Sequence, residues 1–486
     1  MIPFGEWLPD QADFNNAGAT EALNVLPWEN KYRSFPESVV YSNALDARCR
    51  GAFSTYNTDG TNKTFAGNAT KLYSLASATF SDVSKVGGYT TGTEEGWEFC
   101  QYGTQVIATN MTDNPQSWVL GSSSAFADLG GTPPKGRTVD VISEFVMFGN
   151  INDATGTSPD AVRWCAIGDP TSRTIGTNQA DRQVLPGSKW IHKVVGGEYA
   201  TILSEGGIWR GTYVGGDLIF QFDRIQAGVA CISRGSVANF GNLIFFLGDD
   251  GFYMFDGATP IPIGKNKVDK TFYSELDQNY THMISSVIDP INSIYMCAYP
   301  GPGNASGIPN RIIAYNWVLG KWSHIEHTAE WIGQTLSVGL DADSADSIIG
   351  NPDTGIYANT SVDSRIFAGG KTMLTCFDTD HKMNYFTGTA KDAVLETAEA
   401  QIFDGARALV NEVTPFYEGS PTITVQVGRR NTPNDSITWS SINVPSSDGI
   451  AYFLCEGRYH RARVSTSGDF DHLQGVKFDA KKLGKY

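Results

Sequence analysis

A chain of 486 residues with 41% hydrophobic and 12% aromatic residues has ample material to bury, which excludes a disordered tail or a low-complexity scaffold. With 52 Gly, 21 Pro and only 18% charged residues, it carries many turns and few charged helical faces, a β-rich signature. The net charge of −16 has the wrong sign for a surface that grips phosphates, so it argues against stable nucleic-acid binding.

Length favours two or three domains or one large closed β architecture. Residues 1–40 carry Pro3, Pro9, Pro27 and Pro36 among isolated aromatics without helical or alternating periodicity. They predict an extended N-terminal arm tethered by Trp7, Phe14, Trp28 and Phe35. The first residues, MIPFGEWLPD, show neither a basic nor an apolar leader region, and no stretch approaches the roughly 18 apolar residues of a membrane helix, so a soluble chain without a signal peptide is expected.

From 41 to 394 a short apolar run, a turn with Gly, Asp or Asn, and a second apolar run recur. In LIFFLGDDGFYMFDG, Leu243 to Leu247 predicts one strand, Gly248 to Gly251 the reversal and Phe252 to Phe255 the return. Similar hairpins are predicted with turns at Glu205 to Gly207, Asp289 to Asn292, near Gly320, and at Asn351 to Gly355. Outgoing strands marked by Val106, Trp164, Ile208, Phe252, Ile294 and Ile356 are spaced 58, 44, 44, 42 and 62 residues apart. Steps near 43 suit a four-stranded propeller blade of roughly 40 to 50 residues. A parallel β-helix or irregular stacked sandwiches compete, the latter because no WD or kelch consensus is present.

After Leu395 the strands lengthen and alternate. Ile423, Val425 and Val427 face one way in TITVQVG, as do His460, Ala462 and Val464 in RYHRARV. Residues 395–486 therefore predict a smaller antiparallel β-sandwich domain, nearly neutral with 10 basic and 11 acidic residues. ETAEAQIFDGARALVNEV is read as strands, since Asp404 and Gly405 interrupt its helix-favouring Ala and Glu. The fold class is all-β: a β-propeller-like domain, a β-sandwich domain and an extended arm.

Chemical motifs are sparse. Seven widely spaced Cys, mostly in apolar runs, predict buried reduced thiols. GGEYATILSEGG lacks the order of a phosphate loop, and no GxSxG elbow occurs. His324 and His327 lack HExxH spacing and would lie on opposite faces of a strand, as surface histidines. Asp341, Asp343 and Asp346 could hold calcium but lack the EF-hand Gly and distal Glu, so a solvated acidic loop is the plainer reading. NDSITWSS resembles part of a sialidase Asp-box without its Asp-x-Gly. Carboxylate pairs for glycoside hydrolysis are a matter of spatial separation that 52 acidic residues leave open.

Taken in order, LPDQADFNNAGATEALNVLPWENKYRSFPE, GGEYATILSEGGIWRGTYVGGDLIFQFD, GNLIFFLGDDGFYMFDG, DPINSIYMCAYPG and YNWVLGKWS resemble the tail hub or nozzle proteins of short-tailed bacteriophages, the packaged-DNA stabilisation proteins. The resemblance covers most of the chain and rests on segment order. It implies a structural virion protein of the tail, a homo-oligomeric ring, expected as a hexamer, below the portal and its adaptor protein. Such a ring retains the packaged genome and conducts DNA through its lumen without tight binding, with tail fibres or spikes as further partners. It implies neither catalytic residues nor a cofactor.

On that reading Asp249 and Asp250 are candidates for an acidic channel-facing loop. Trp7, Phe14, Trp28, Arg429, Arg430, Arg461 and Arg463 are candidate assembly contacts, with ordinary packing or solvated strand faces as the alternative. A tail-associated glycan-cleaving enzyme or a glycan-binding lectin would instead use exposed aromatics and opposed carboxylates.

Overall fold

The structure is a computed structural model and describes residues 1–13, 16–29, 31–57, 59–337 and 370–484. Nearly all regular structure among the described residues is β, and most of it forms seven four-stranded antiparallel units, six as separate sheets and one as the start of a nine-stranded sheet. Their first strands begin at Ala52, Glu98, Lys135, Ile191, Ala238, Ser285 and Trp331. The fifth unit runs outward from its first strand by short reversals, through Ala238–Phe240, Leu243–Leu247, Phe252–Phe255 and Pro260–Pro262.

Buried clusters join the units into a closed propeller-like ring. Phe65 and Trp118 link the first to the second, and Ile107, Phe148 and Ile202 link the second, third and fourth. Leu203 meets Phe246 between the fourth and fifth, Phe245 meets Tyr295 between the fifth and sixth, and Ile312 meets Ile332 between the sixth and seventh. Tyr73 and Phe377 close the circle from the first to the seventh. Packing on both faces explains the unbroken apolar runs: Phe145–Asp153 is buried from Phe145 through Ile151, and Ile294–Tyr299 throughout.

The seventh unit takes its outermost strand from the chain start. Pro36–Ala44 pairs antiparallel with Lys382–Ala390, opposing Val39 to Tyr385 and Val40 to Asn384. The boundary expected between residues 40 and 41 thus falls inside a strand. Nor do residues 1–40 stand off as an arm, because they are distributed over three sheets. Ile2–Pro3, Val25–Trp28 and Lys31–Ser34 join one sheet, Glu21–Leu23 a second, and Pro36–Ala44 the seventh unit. Phe4, Trp7 and Phe35 are buried there.

The sixth unit does not end at its fourth strand. Lys321–Glu326 continues through Glu21–Leu23 to Ala393–Glu396, Tyr459–Ser467, Thr422–Arg430 and Thr438–Trp439, a nine-stranded sheet. The boundary expected at 394/395 lies within one of these strands. A six-stranded sheet containing Ala408–Gly419, Ala451–Gly457 and Phe470–Lys482 packs against it. Both bury one face in a shared core, Val410, Phe453 and Val476 against Val425, Ala462 and Val464. One-sided burial produces the alternation read in TITVQVG and RYHRARV, whose His460, Ala462 and Val464 are fully buried.

The predicted hairpins at Gly248 to Gly251, Glu205 to Gly207, Asp289 to Asn292 and Gly320 are present. The one at Asn351 to Gly355 lies outside the described residues, as does Ile356. The repeat markers were not equivalent positions: Trp164, Ile208 and Phe252 lie on third strands, whereas Val106 and Ile294 lie on second strands. Two steps of 44 are therefore true unit-to-unit spacings, and the step of 42 is not.

Candidate axial site

Entries to the seven first strands converge on one cavity of about 540 Å³ at the centre of the ring. Every unit contributes a polar residue at this end. Arg48 and Arg50 precede the first strand of unit one, and Glu94, Glu95 and Glu98 lie at that of unit two. Arg137, His192 with Lys193, Arg234, Thr281 with His282, and Glu330 follow from units three to seven, and Glu205 joins them from a hairpin turn. Five cationic side chains thus face five carboxylates.

Most of these charges neutralise one another. Arg137 pairs with Glu95, Lys193 with Glu98, and Arg234 lies 3.8 Å from Glu95 and 3.4 Å from Glu98. Arg234 also donates from Nη1 to the Arg137 carbonyl at 3.1 Å, tying the fifth unit to the third across the axis. His192 sits 3.6 Å from Glu205, and burial, with Arg137 and Arg234 adding, holds it at about 4, so it is neutral near pH 7. Glu330 is buried and uses both oxygens, Oε2 accepting the Cys49 N–H at 3.1 Å and Oε1 facing His381 Nδ1 at 2.8 Å. Burial raises its pKa.

Two guanidinium groups stand outside the ion pairs. Arg50 donates to the backbone carbonyls of Thr91, Gly92 and Glu95. Arg48 reaches the Met283 thioether and makes no ion pair among the described residues. Burial first, then Arg50, lowers its pKa, while Glu330 acts in the opposite direction. Among the described residues, no group of three or more His, Cys, Asp or Glu could hold a metal ion. Chemically, the site offers fixed, largely compensated charge with one open cation.

None of the described channel or assembly candidates lines this cavity. Asp249 and Asp250 are exposed at the hairpin turn of the fifth unit, where Asp250 accepts from the Tyr253 hydroxyl at 2.8 Å. Gly251 beside them has φ +152°, and a Cβ there would meet Asp269 Oδ2 at 2.1 Å, so the turn wraps a buried carboxylate. Asp341, Asp343 and Asp346 lie outside the described residues, as does Phe14. His324 stacks on Trp7 at 4.5 Å and pairs with Glu21, whereas His327 meets Cys376 Sγ at 3.5 Å, so the two serve different contacts. All seven cysteines are buried and free.

Most of the described assembly candidates have partners within the chain. Arg430 is held by Glu399 with both side chains almost fully buried. Arg461 lies 3.2 Å from Asp13 and 3.5 Å from Glu396, and Arg463 lies 2.6 Å from Glu396 and 4.0 Å over the Trp439 ring. Arg429 donates to the Glu456 carbonyl at 3.0 Å. Trp7 is buried, and Trp28 is half-buried under Arg33. Arg430, Arg461 and Arg463 found acidic partners on segments remote in sequence, which strand alternation does not reveal.

The axial residues escaped sequence reasoning because each unit contributes only one to three of them, a whole unit away from the next group. The usable signal was positional: a charged or hydroxyl residue stands at the entry of every first strand.

No protein-family model and no curated protein matches the chain. Among solved structures, the chain is similar to BBS1N in complex with ARL6DN, at 8% identity and TM-score 0.39, over 73% of this chain and 96% of that one. It is similar to the computationally designed Ika8 protein at 10% identity and TM-score 0.36, over 72% and 99%. YCF48 bound to D1 peptide matches at 9% identity and TM-score 0.34, over 62% and 85%. Similarity at this level carries no functional inference, and the account of the fold rests on the sheets themselves.

Proposed function

We propose that the chain is a structural protein of a short-tailed phage virion, a ring-forming tail hub or nozzle that extends the DNA channel below the portal and adaptor. In this reading a seven-bladed propeller is fused through its sixth blade to a two-sheet sandwich, and copies meet through the sandwich. The observation that carries it is an apolar surface where both C-terminal sheets end. Ala451–Gly457 is the edge strand of one sheet and Thr438–Trp439 that of the other. Beside them Ile442, Val444, Tyr452 and Leu454 are 63%, 65%, 53% and 85% exposed, flanking the 2.5 Å hydrogen bond from Asn443 Nδ2 to the Tyr452 carbonyl.

Natural sheets cover or charge their edges, and clustered exposed aliphatics beside an edge mark an interaction surface. This patch replaces the arginines as the assembly contact. The segment-order resemblance supplies the tail assignment, and the net charge of −16 suits a lumen wall that DNA slides past. Reading the chain as a wall also gives the compensated axial site a structural role, cross-linking blades by ion pairs.

Cryo-electron microscopy of virions that contain this chain tests the proposal. A symmetric ring beneath portal and adaptor, with the Leu454 surface at the subunit contact, is the expected result. Peripheral spikes, or absence from the particle, would overturn it and bring the glycan-binding reading forward.

A further inference from the structure

The axial cavity carries a second inference, independent of any ring. Arg48 is half-buried, makes no ion pair among the described residues, and has the Met283 thioether as its hydrogen-bonding contact. The nearest buried acid, Glu330, contributes an opposing field but no contact, its oxygens being held by the Cys49 N–H and His381. Arg50 next in line adds positive field, its own donors directed to backbone carbonyls. A guanidinium has five donors, and one that faces a cavity without a contacting carboxylate keeps donors open to a ligand.

We propose that the axial cavity binds a small oxyanion, a carboxylate- or phosphate-bearing molecule, with Arg48 as its charge partner. The cavity of about 540 Å³ is the size of a small-molecule site, and Thr281 and His282 lie on the wall beside Met283. Burial lowers the pKa of His282, so near pH 7 the imidazole offers a hydrogen bond and not a second charge. Arg48 binds its anion through paired N–H groups, the geometry that guanidinium shares with carboxylate and phosphate. Glu94 opposes it: it lines the cavity, is exposed, and makes no ion pair among the described residues. The ligand is therefore a compact anion seated toward Arg48, and an extended polyanion such as DNA is disfavoured.

Titration calorimetry of the full chain with inorganic phosphate and, separately, with glucuronate tests this and distinguishes the two sources of the oxyanion. Binding of either is expected, weakened at least tenfold in Arg48→Gln and unchanged in Lys482→Gln, an exposed cation outside the cavity. Arg48→Lys should retain part of the affinity that Arg48→Gln loses. Should Arg48→Gln fail to fold, Glu94→Gln decides: removing the opposing carboxylate strengthens binding about twofold or more. No binding of either anion, equal binding by Arg48→Gln, or no gain in Glu94→Gln each overturns the proposal.

Discussion

Arg430 and Glu399 form a two-point ion pair, Nη2 donating to Oε1 at 2.8 Å and Nε lying 2.6 Å from Oε2, with side chains only 7% and 3% exposed. The pair fastens the segment after Ala393–Glu396 to the end of Thr422–Arg430, and so fixes one side of the C-terminal sheets.

Breaking a buried pair leaves the other charge without a counter-ion. Glu399→Ala should therefore lower unfolding free energy by about 3 kcal/mol. Urea denaturation of both proteins checks this; a change below about 0.5 kcal/mol would mean that solvent reaches the site.

Ring closure rests on Pro36–Ala44. Tyr41 is 7% exposed and packs on Tyr385 with ring centroids 4.8 Å apart. Tyr41→Ala should cost about 3 kcal/mol through lost burial and the cavity left behind. Thermal unfolding would show the loss as one shifted transition if closure is cooperative with the whole ring, and as an early separate transition if the seventh unit opens alone.

Acid should destabilise the fold through its buried histidines. His192, His327 and His460 are each held at about 4 by burial, below the ordinary 6.5. The unfolded chain protonates them first, so stability falls as pH drops from about 6.5 toward 4. Denaturant midpoints across that range are the measurement, and a flat profile would contradict the assignment.

Asp269 acts with the opposite sign. Burial, with Asp10 and Asp250 adding, raises it to about 6 from 3.8, so its ionised form weakens the fold above that range. Asp269→Asn keeps an acceptor for the Phe252 N–H, which Oδ1 binds at 3.0 Å. The variant should be more stable by about 1 to 2 kcal/mol at pH 7, with the gain fading as pH falls through 6 toward 4. An undiminished gain at pH 4 would point to packing instead of charge.

Assembly should be separable from folding at Leu454. Its side chain is 85% exposed, so Leu454→Asp should leave the monomer within about 0.5 kcal/mol of the parent. If the C-terminal edge is the subunit contact, the variant fails to enter the ring on mixing with portal and adaptor, as read by negative-stain microscopy. Normal incorporation would move the contact elsewhere.

The sequence by itself determined the local elements, because hairpin turns and apolar runs are encoded over a few neighbouring residues. Leu243–Leu247 and Phe252–Phe255 were legible from the GDDG turn, and the buried face of Tyr459–Ser467 from a two-residue period. Spacing exposed the blade-like repeat, although it mixed second and third strands, since both are apolar. Tertiary structure alone decided how distant segments share a sheet. Nothing local in Pro36–Ala44 says that it pairs with Lys382–Ala390, nor in Glu21–Leu23 that it bridges the sixth unit to the C-terminal strands. The same holds for charge. Arg461 and Arg463 read as free arginines until Asp13 and Glu396 came beside them, whereas Arg48, unremarkable in sequence, came to line the axial cavity without an ion pair among the described residues. Ion pairing depends on distances of a few ångströms between residues hundreds of positions apart, and only the folded chain sets those distances.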